Sequence, residues 1–249
     1  GGRGGGGAVD VDEVGSSDEE DEGVEIHMTS QSHFNVHDPG YIASVAASTD
    51  LSLLVTKDKN WPAAAVRCRT HPSEAAEALE VKVRGAYTAR ITPLHFACEH
   101  RPSAEVVSAL VAACPSALER RQEPGGQLPL HAACTWGASG PAVHVMLDAC
   151  PGAAERKDFL SNLPLHCACY SGASAGIVEG LLRAYPQGVW PRNHQGSAAA
   201  DIVRRLNHPN KREVLALLEG TMARLLRRKK EEALSRVESA EGDGNLEWV

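Results

Sequence analysis

The chain has 249 residues and a formal net charge of −7, with 43% hydrophobic residues but only 4% aromatic ones. Residues 1–45 carry ten acidic side chains and one basic (net −9), while the rest carries 22 acidic and 24 basic and sits near neutrality at +2. A near-neutral body excludes the basic footprint of a general nucleic-acid binder. No apolar run approaches the ~18–20 residues that span a bilayer, and scarce aromatics with abundant Ala, Leu and Val favour small close-packed helices over one large core.

The first 45 residues open with six Gly in seven positions and continue through Ser16-Ser17-Asp18-Glu19-Glu20-Asp21-Glu22. Such a stretch buries too little apolar surface to offset its ordering entropy, so a disordered acidic N-terminal tail is predicted. Ser16 and Ser17 resemble acidophilic kinase sites, although a solubilising tail is the plainer reading. The chain does not begin with Met and has no apolar signal-peptide core at its start, so it reads as either processed or part of something longer.

Residues 46–90 read as a degenerate N-terminal capping repeat and its connection. A short apolar helix at Leu51–Val55 precedes a second at Trp61–Arg69, with Pro62 in its first turn and a stop at His71-Pro72. Sliding this segment by 43 places Pro72 on Pro115 and Leu51 on Leu94, and Glu77 to Arg90 is left as a long connection.

From 91 to 221 one phrase returns: Thr92-Pro93-Leu94-His95, then Leu128-Pro129-Leu130-His131, then Leu163-Pro164-Leu165-His166, with the prolines 36 and 35 residues apart. Each phrase opens a short helix, and a second helix follows at Ala104–Ala113, Pro141–Ala149 and Gly176–Ala184. These end before Pro115, Pro151 and Pro186, because proline cannot continue a helix and disfavours helical geometry in the residue before it. Two independent landmarks share one period. Gly126, Ser161 and Gly196 extend it to a weaker fourth unit, where Ala199-Ala200-Asp201 replaces Pro-Leu-His, as suits a terminal cap. Its second helix is predicted from about Lys211 to Glu219. Residues 222–249 are predicted to be a helical C-terminal extension fraying to a tail, bearing the basic cluster Arg227-Arg228-Lys229-Lys230. That cluster suits nuclear import or an anionic contact, but followed by Glu231-Glu232 it reads first as a solvated helix face.

These units resemble ankyrin repeats, whose hallmark Thr-Pro-Leu-His-x-Ala is matched in full at Thr92 to Ala97 and departed from at Leu128 and Leu163. The resemblance covers about Thr92 to Glu219. It implies an all-α, ankyrin-type helical repeat solenoid of about four to five units, stable only as a stack. Thr92 suits an N-cap and Pro93 a first helical turn; losing the hydroxyl at Leu128 and Leu163 should cost roughly 1 kcal/mol per site. Leu94, Leu130 and Leu165 face the core, and His95, His131 and His166 can bond backbone of the adjoining unit.

Those histidines, with Cys98, Cys134, Cys167 and Cys169, invite a zinc or thiol-nucleophile reading. Yet each His falls in a separate unit roughly 10 Å from the next, and residues two apart, as Cys167 and Cys169 are, do not share a helix face. Neither a Cys98 base–orienter pair nor a phosphate loop is present in the sequence pattern. No catalytic residue, metal or cofactor is therefore assigned. The seven cysteines are odd in number and repeat-spaced, which suits a reducing intracellular compartment, cytoplasmic in preference to nuclear.

What remains is a role for an exposed face: a monomeric, non-enzymatic protein–protein interaction module binding a protein partner, with the ankyrin portion of a larger enzyme or signalling protein as the alternative. In ankyrin-like arrays the concave side is formed by the first helices and by finger-like turns between units. Carried over by position, the helix residues are Glu99, His100, Thr135, Trp136, Tyr170 and Ser171. The finger residues are Gln127, Phe159, Leu160, Asn162, His194, Gln195 and Ser197. Trp136, Phe159 and Tyr170 stand out as interface anchors, although Trp136 and Tyr170 equally suit gaps between helices.

Overall fold

A computed structural model describes residues 38–83 and 87–242 of the chain. The expectations for residues 1–37, Ser16 and Ser17 among them, and for 243–249 lie outside the described residues. Within these the chain is mostly helical (68%), with eleven α-helices and one two-stranded sheet.

Residues 39–45, placed by the sequence in a disordered tail, are helical instead. Residues Pro39–Ser48 form α1, which begins with Asp38 accepting from the Gly40 and Tyr41 amides at 3.4 and 3.3 Å. An Asp-Pro pair is a helix-start signal in its own right, since the carboxylate caps and the proline has its φ already set. The acidic count masked that signal.

Two helices follow, α2 (Leu51–Thr56) and α3 (Trp61–Thr70), the second capped by Asn60 through the Ala63 amide at 3.2 Å. Arg67 of α3 lies almost wholly buried and ties this end of the protein together. Its Nε donates to both carboxylate oxygens of Glu74 at 3.1 and 3.0 Å, and its Nη1 donates to the Ala46 and Ala47 carbonyls at 3.1 and 3.3 Å. Glu74 in turn accepts the Leu51 amide at 2.8 Å, an otherwise orphaned donor in the first turn of α2. One ion pair thus closes the end of α1 and the start of α2 at once.

The connection from Glu77 to Arg90 is not a loop. It contains a hairpin of β1 (Leu79–Val83) and β2 (Tyr87–Ile91), antiparallel with Leu79 opposite Ile91 and Val83 opposite Tyr87. Leu79, Ala89 and Ile91 are buried on its one inward face. The period-2 pattern of Leu79, Val81 and Val83 is the strand signal, short enough to be passed over inside a helical period.

The remaining helices are α4 (Pro93–Glu99), α5 (Ala104–Ala113), α6 (Pro129–Trp136), α7 (Gly140–Ala149), α8 (Pro164–Ser171), α9 (Ala175–Ala184), α10 (Ala199–Arg205) and α11 (Lys211–Gly242). They form two rows. In one, α2, α4, α6, α8 and α10 each pack on the next; in the other, α1, α3, α5, α7, α9 and α11 do the same. The core lies between the rows, where Leu94, Leu110, Leu130, Met146, Leu163, Leu181, Ile202 and Leu218 are fully buried. From α3 to α9 every helix of the second row ends in one backbone shape: His71, Cys114, Cys150 and Tyr185 have φ between −134° and −145° and ψ between 67° and 82°, each followed by a 3-10 turn opened by proline. That shape is what the X-Pro restriction imposes. At the far end α11 runs 32 residues without a break, so the fourth unit's second helix and the extension are one element.

The recurring histidines tie down the start of the first helix in all three units, whether it opens on Thr92, Leu128 or Leu163. In each unit the imidazole Nδ1 accepts the amide of the residue three before it: Thr92 to His95 at 3.3 Å, Leu128 to His131 at 3.2 Å, Leu163 to His166 at 3.0 Å. With Nδ1 an acceptor, Nε2 carries the proton and donates forward to a carbonyl of the next unit, Gln127, Asn162 and Pro191, at 3.0, 3.0 and 3.1 Å. The Thr92 hydroxyl adds a long contact of 3.4 Å with the His95 amide. At the two leucines the amide that a hydroxyl would cap donates instead to the N-cap carbonyl, His131 to Leu128 O and His166 to Leu163 O at 2.9 Å each. In the last unit Asp201 takes over, accepting the Ala198 amide at 3.1 Å, but it has no proton to pass on and pairs with Arg192 and Arg204 instead.

Candidate interaction surface

The turns before α6, α8 and α10 lie side by side and are zipped by backbone hydrogen bonds. Arg90 of β2 and Glu123 exchange bonds of 2.8 and 3.1 Å, the Phe159 amide donates to Gly125 O at 3.0 Å, and the His194 amide donates to Leu160 O at 3.0 Å. The hairpin of β1 and β2 is thus the first member of the same row of fingers. At Gly126, Ser161 and Gly196 the backbone has φ of 67°, 58° and 71°, which is why the 35-residue spacing runs through these three positions. Gly126 is doubly constrained, because a Cβ there would lie 2.4 Å from the Phe159 ring.

Two side chains hold the later fingers, and sequence reasoning missed both. The buried Asp158 accepts the Leu160 and Asn162 amides at 2.9 and 2.7 Å. Asn193, 35 positions on, accepts those of Gln195 and Ser197 at 3.0 and 3.1 Å. Both are Asx turns, and the signal was there in Asp158 and Asn193 at matching places before Ser161 and Gly196.

The thirteen carried-over residues divide by what their side chains do. Phe159 and Leu160 are 62% exposed and Trp136 47% exposed, large apolar groups open to solvent. Thr135, His194 and Gln195 are exposed beside them, although the Thr135 hydroxyl donates to His131 O at 2.8 Å. Tyr170 is half-buried and belongs to a relay: its hydroxyl donates to Gln195 Oε1 at 2.6 Å and accepts from Asn193 Nδ2, which also donates to Asn162 Oδ1 at 2.9 Å. Ser171 spends its hydroxyl on Cys134 O at 2.7 Å, and Ser197 is buried with its hydroxyl accepting from Arg205 at 2.8 Å. His100 stacks on Phe96 with centroids 4.3 Å apart, and half-buried Glu99 has its carboxyl pushed up by burial. Gln127 contributes its carbonyl to His95. Trp136, Phe159 and Leu160 therefore form the available apolar part of this face, while Tyr170, Asn162, Ser171 and Ser197 are framework.

The signature residues are interior. Thr92, Pro93, Leu94 and His95, Pro129, Leu130 and His131, and Pro164, Leu165 and His166 are all buried. Burial drives the His95 and His131 imidazoles down to about 4 and lowers that of His166, so each is neutral with both ring nitrogens spoken for by backbone. Burial also pushes the Cys98, Cys167 and Cys169 thiols up to about 12 and the Cys134 thiol well above its usual value. No cluster of three or more His, Cys, Asp or Glu suited to a metal occurs among the described residues. Among them too, no helix is long and apolar enough to cross a membrane.

No protein-family model matches this chain, and no curated protein is similar enough to count as a relative.

Proposed function

We propose that this chain is an ankyrin-type repeat solenoid of about four to five units acting as a non-enzymatic protein–protein interaction module. Its partner is a protein held against the first-helix row and the finger tips, by a monomeric array in a reducing, cytoplasmic compartment. The observation that carries this reading is the exposure of Trp136, Phe159 and Leu160 on a surface whose supporting side chains are otherwise consumed in internal bonds. Large apolar groups held out on a rigid frame are how interface anchors work, because little ordering entropy remains to be lost on binding. The tautomer-locked histidines and zipped fingers supply the frame. Seven free cysteines, six of them buried, suit the reducing compartment.

The test is affinity capture from the native cell with the immobilised chain, compared with a Phe159→Ala/Leu160→Ala variant of unchanged far-UV circular dichroism. Loss of a specific retained protein in the variant supports the reading. Identical retention by both would sink it.

A further inference from the structure

The second-helix row ends at α11, and there the surface is not flush. Between α9, the Pro186–Val189 turn and α11 runs a groove of about 630 Å3. Leu182, Leu217 and Leu225 give it an apolar floor, with Leu182 and Leu225 packed into the core and Leu217 half-buried. Leu217 and Leu225 stand eight residues apart on one face of α11, a stripe of roughly 12 Å or two helical turns. From Leu226 to Arg236 every side chain of α11 is exposed, so no described part of the chain covers this end.

The rim is basic. Arg183, Arg224 and Arg228 line the groove with Glu179 as the one acidic lining residue. Arg183 pairs with Glu179 and Arg228 with Glu232, each at 3.2 Å on exposed side chains, and such pairs exchange readily for other carboxylates. Arg224 donates to the Thr221 hydroxyl at 3.0 Å and has no acidic partner among the described residues.

We propose that this groove is a docking site for an acidic amphipathic helix of a partner protein, separate from the finger face and independent of its role. An apolar stripe two turns long fits a floor of that length between two helices, and Asp or Glu flanking the stripe meets Arg183, Arg224 and Arg228. The floor is recessed between α9 and α11, a shape that admits a helix and not a flat lipid surface. The occupant is thus specified by apolar period and negative charge together.

The experiment is selection of a phage-displayed random peptide library on the full chain. The winners are then measured against an R183E/R224E/R228E variant, an R224Q variant and the F159A/L160A variant. All three arginines are surface residues, and equal thermal melts verify folding. The expected result is a set of binders with apolar residues at helical spacing and flanking Asp or Glu. Their affinity falls at least about tenfold in the triple arginine variant and with salt raised from about 50 to about 500 mM, but is kept by F159A/L160A. The proposal is overturned if no selected binder depends on the arginines, or if arginine-dependent binders lack the apolar period. It is equally overturned if the same triple change abolishes binding to phosphatidylserine vesicles, or self-association in sedimentation, with no peptide captured.

Discussion

His131 Nε2 donates to the carbonyl of Asn162, 3.0 Å away and 31 residues further along the chain, while its Nδ1 accepts the Leu128 amide. One neutral ring thus starts its own helix and fastens the following finger. His131→Ala removes both bonds and leaves a buried amide, a buried carbonyl and a cavity. The expected loss is on the order of 3–4 kcal/mol, read as a lower urea midpoint. His194→Ala, at an exposed finger tip, should stay within about 0.5 kcal/mol. Equal effects of the two would contradict the assigned bonds.

The same rings make the protein acid-sensitive. An imidazole of about 4 in the folded state and ~6.5 in the unfolded chain lets the unfolded state take up the proton first. Stability is therefore full above about pH 6.5, falls as the pH drops from there, and levels off near pH 4 as the folded rings protonate too. His95 and His131 each account for about 3 kcal/mol over that window. Glu74 and Asp201 are held below the usual carboxylate range by the Arg67 hydrogen bond and by the Ala198 amide, and they carry the loss further down as they protonate. Denaturation midpoints at pH 7.5, 6 and 5 check this; a flat profile would count against neutral buried histidines.

Arg67→Ala leaves Glu74 charged and half-enclosed and frees the Ala46 and Ala47 carbonyls, a loss of about 3–5 kcal/mol. Its reach is local. Hydrogen exchange should show α1, α2 and α3 opening while amides of α6 and α8 keep their protection.

Thiol titration separates the cysteines. Cys150 is half-exposed, whereas the other six are buried and five of them have strongly raised thiols. A native sample should release about one equivalent of thionitrobenzoate from Ellman's reagent quickly, the rest following only with unfolding. A Cys150→Ser variant should lose the fast phase.

At the finger tips, Phe159→Ala with Leu160→Ala should weaken partner capture by tenfold or more at unchanged helical signal. Tyr170→Phe should instead lower stability by about 1 kcal/mol, because its hydroxyl bridges Gln195 and Asn193.

The helices from α3 to α9 were legible in the sequence because their ends are marked chemically: proline stops the second helices wherever an X-Pro pair falls, and the histidine phrase starts α4, α6 and α8. The hairpin at Leu79–Ile91 was not, since five-residue strands give a weak alternation beside a strong 35-residue period. The candidate face was legible only as a set of positions. That Tyr170 turns into a relay while Trp136 stays exposed depends on Asn193 and Gln195 meeting the Tyr170 hydroxyl from 23 and 25 residues further on. The same holds for Arg67: composition reads it as one more basic residue, and only the meeting of Glu74 with the end of α1 gives it a role.

The imidazole bond from each unit points one way along the chain, to a carbonyl synthesised later. On the ribosome, His95 stays unsated until Gln127 has emerged, His131 until Asn162, and His166 until Pro191. Each of these three units is thus completed, as far as this bond goes, only when the following finger is present. Asp201 ends this series of forward bonds, since its carboxylate pairs with Arg192 and Arg204 and reaches no later finger.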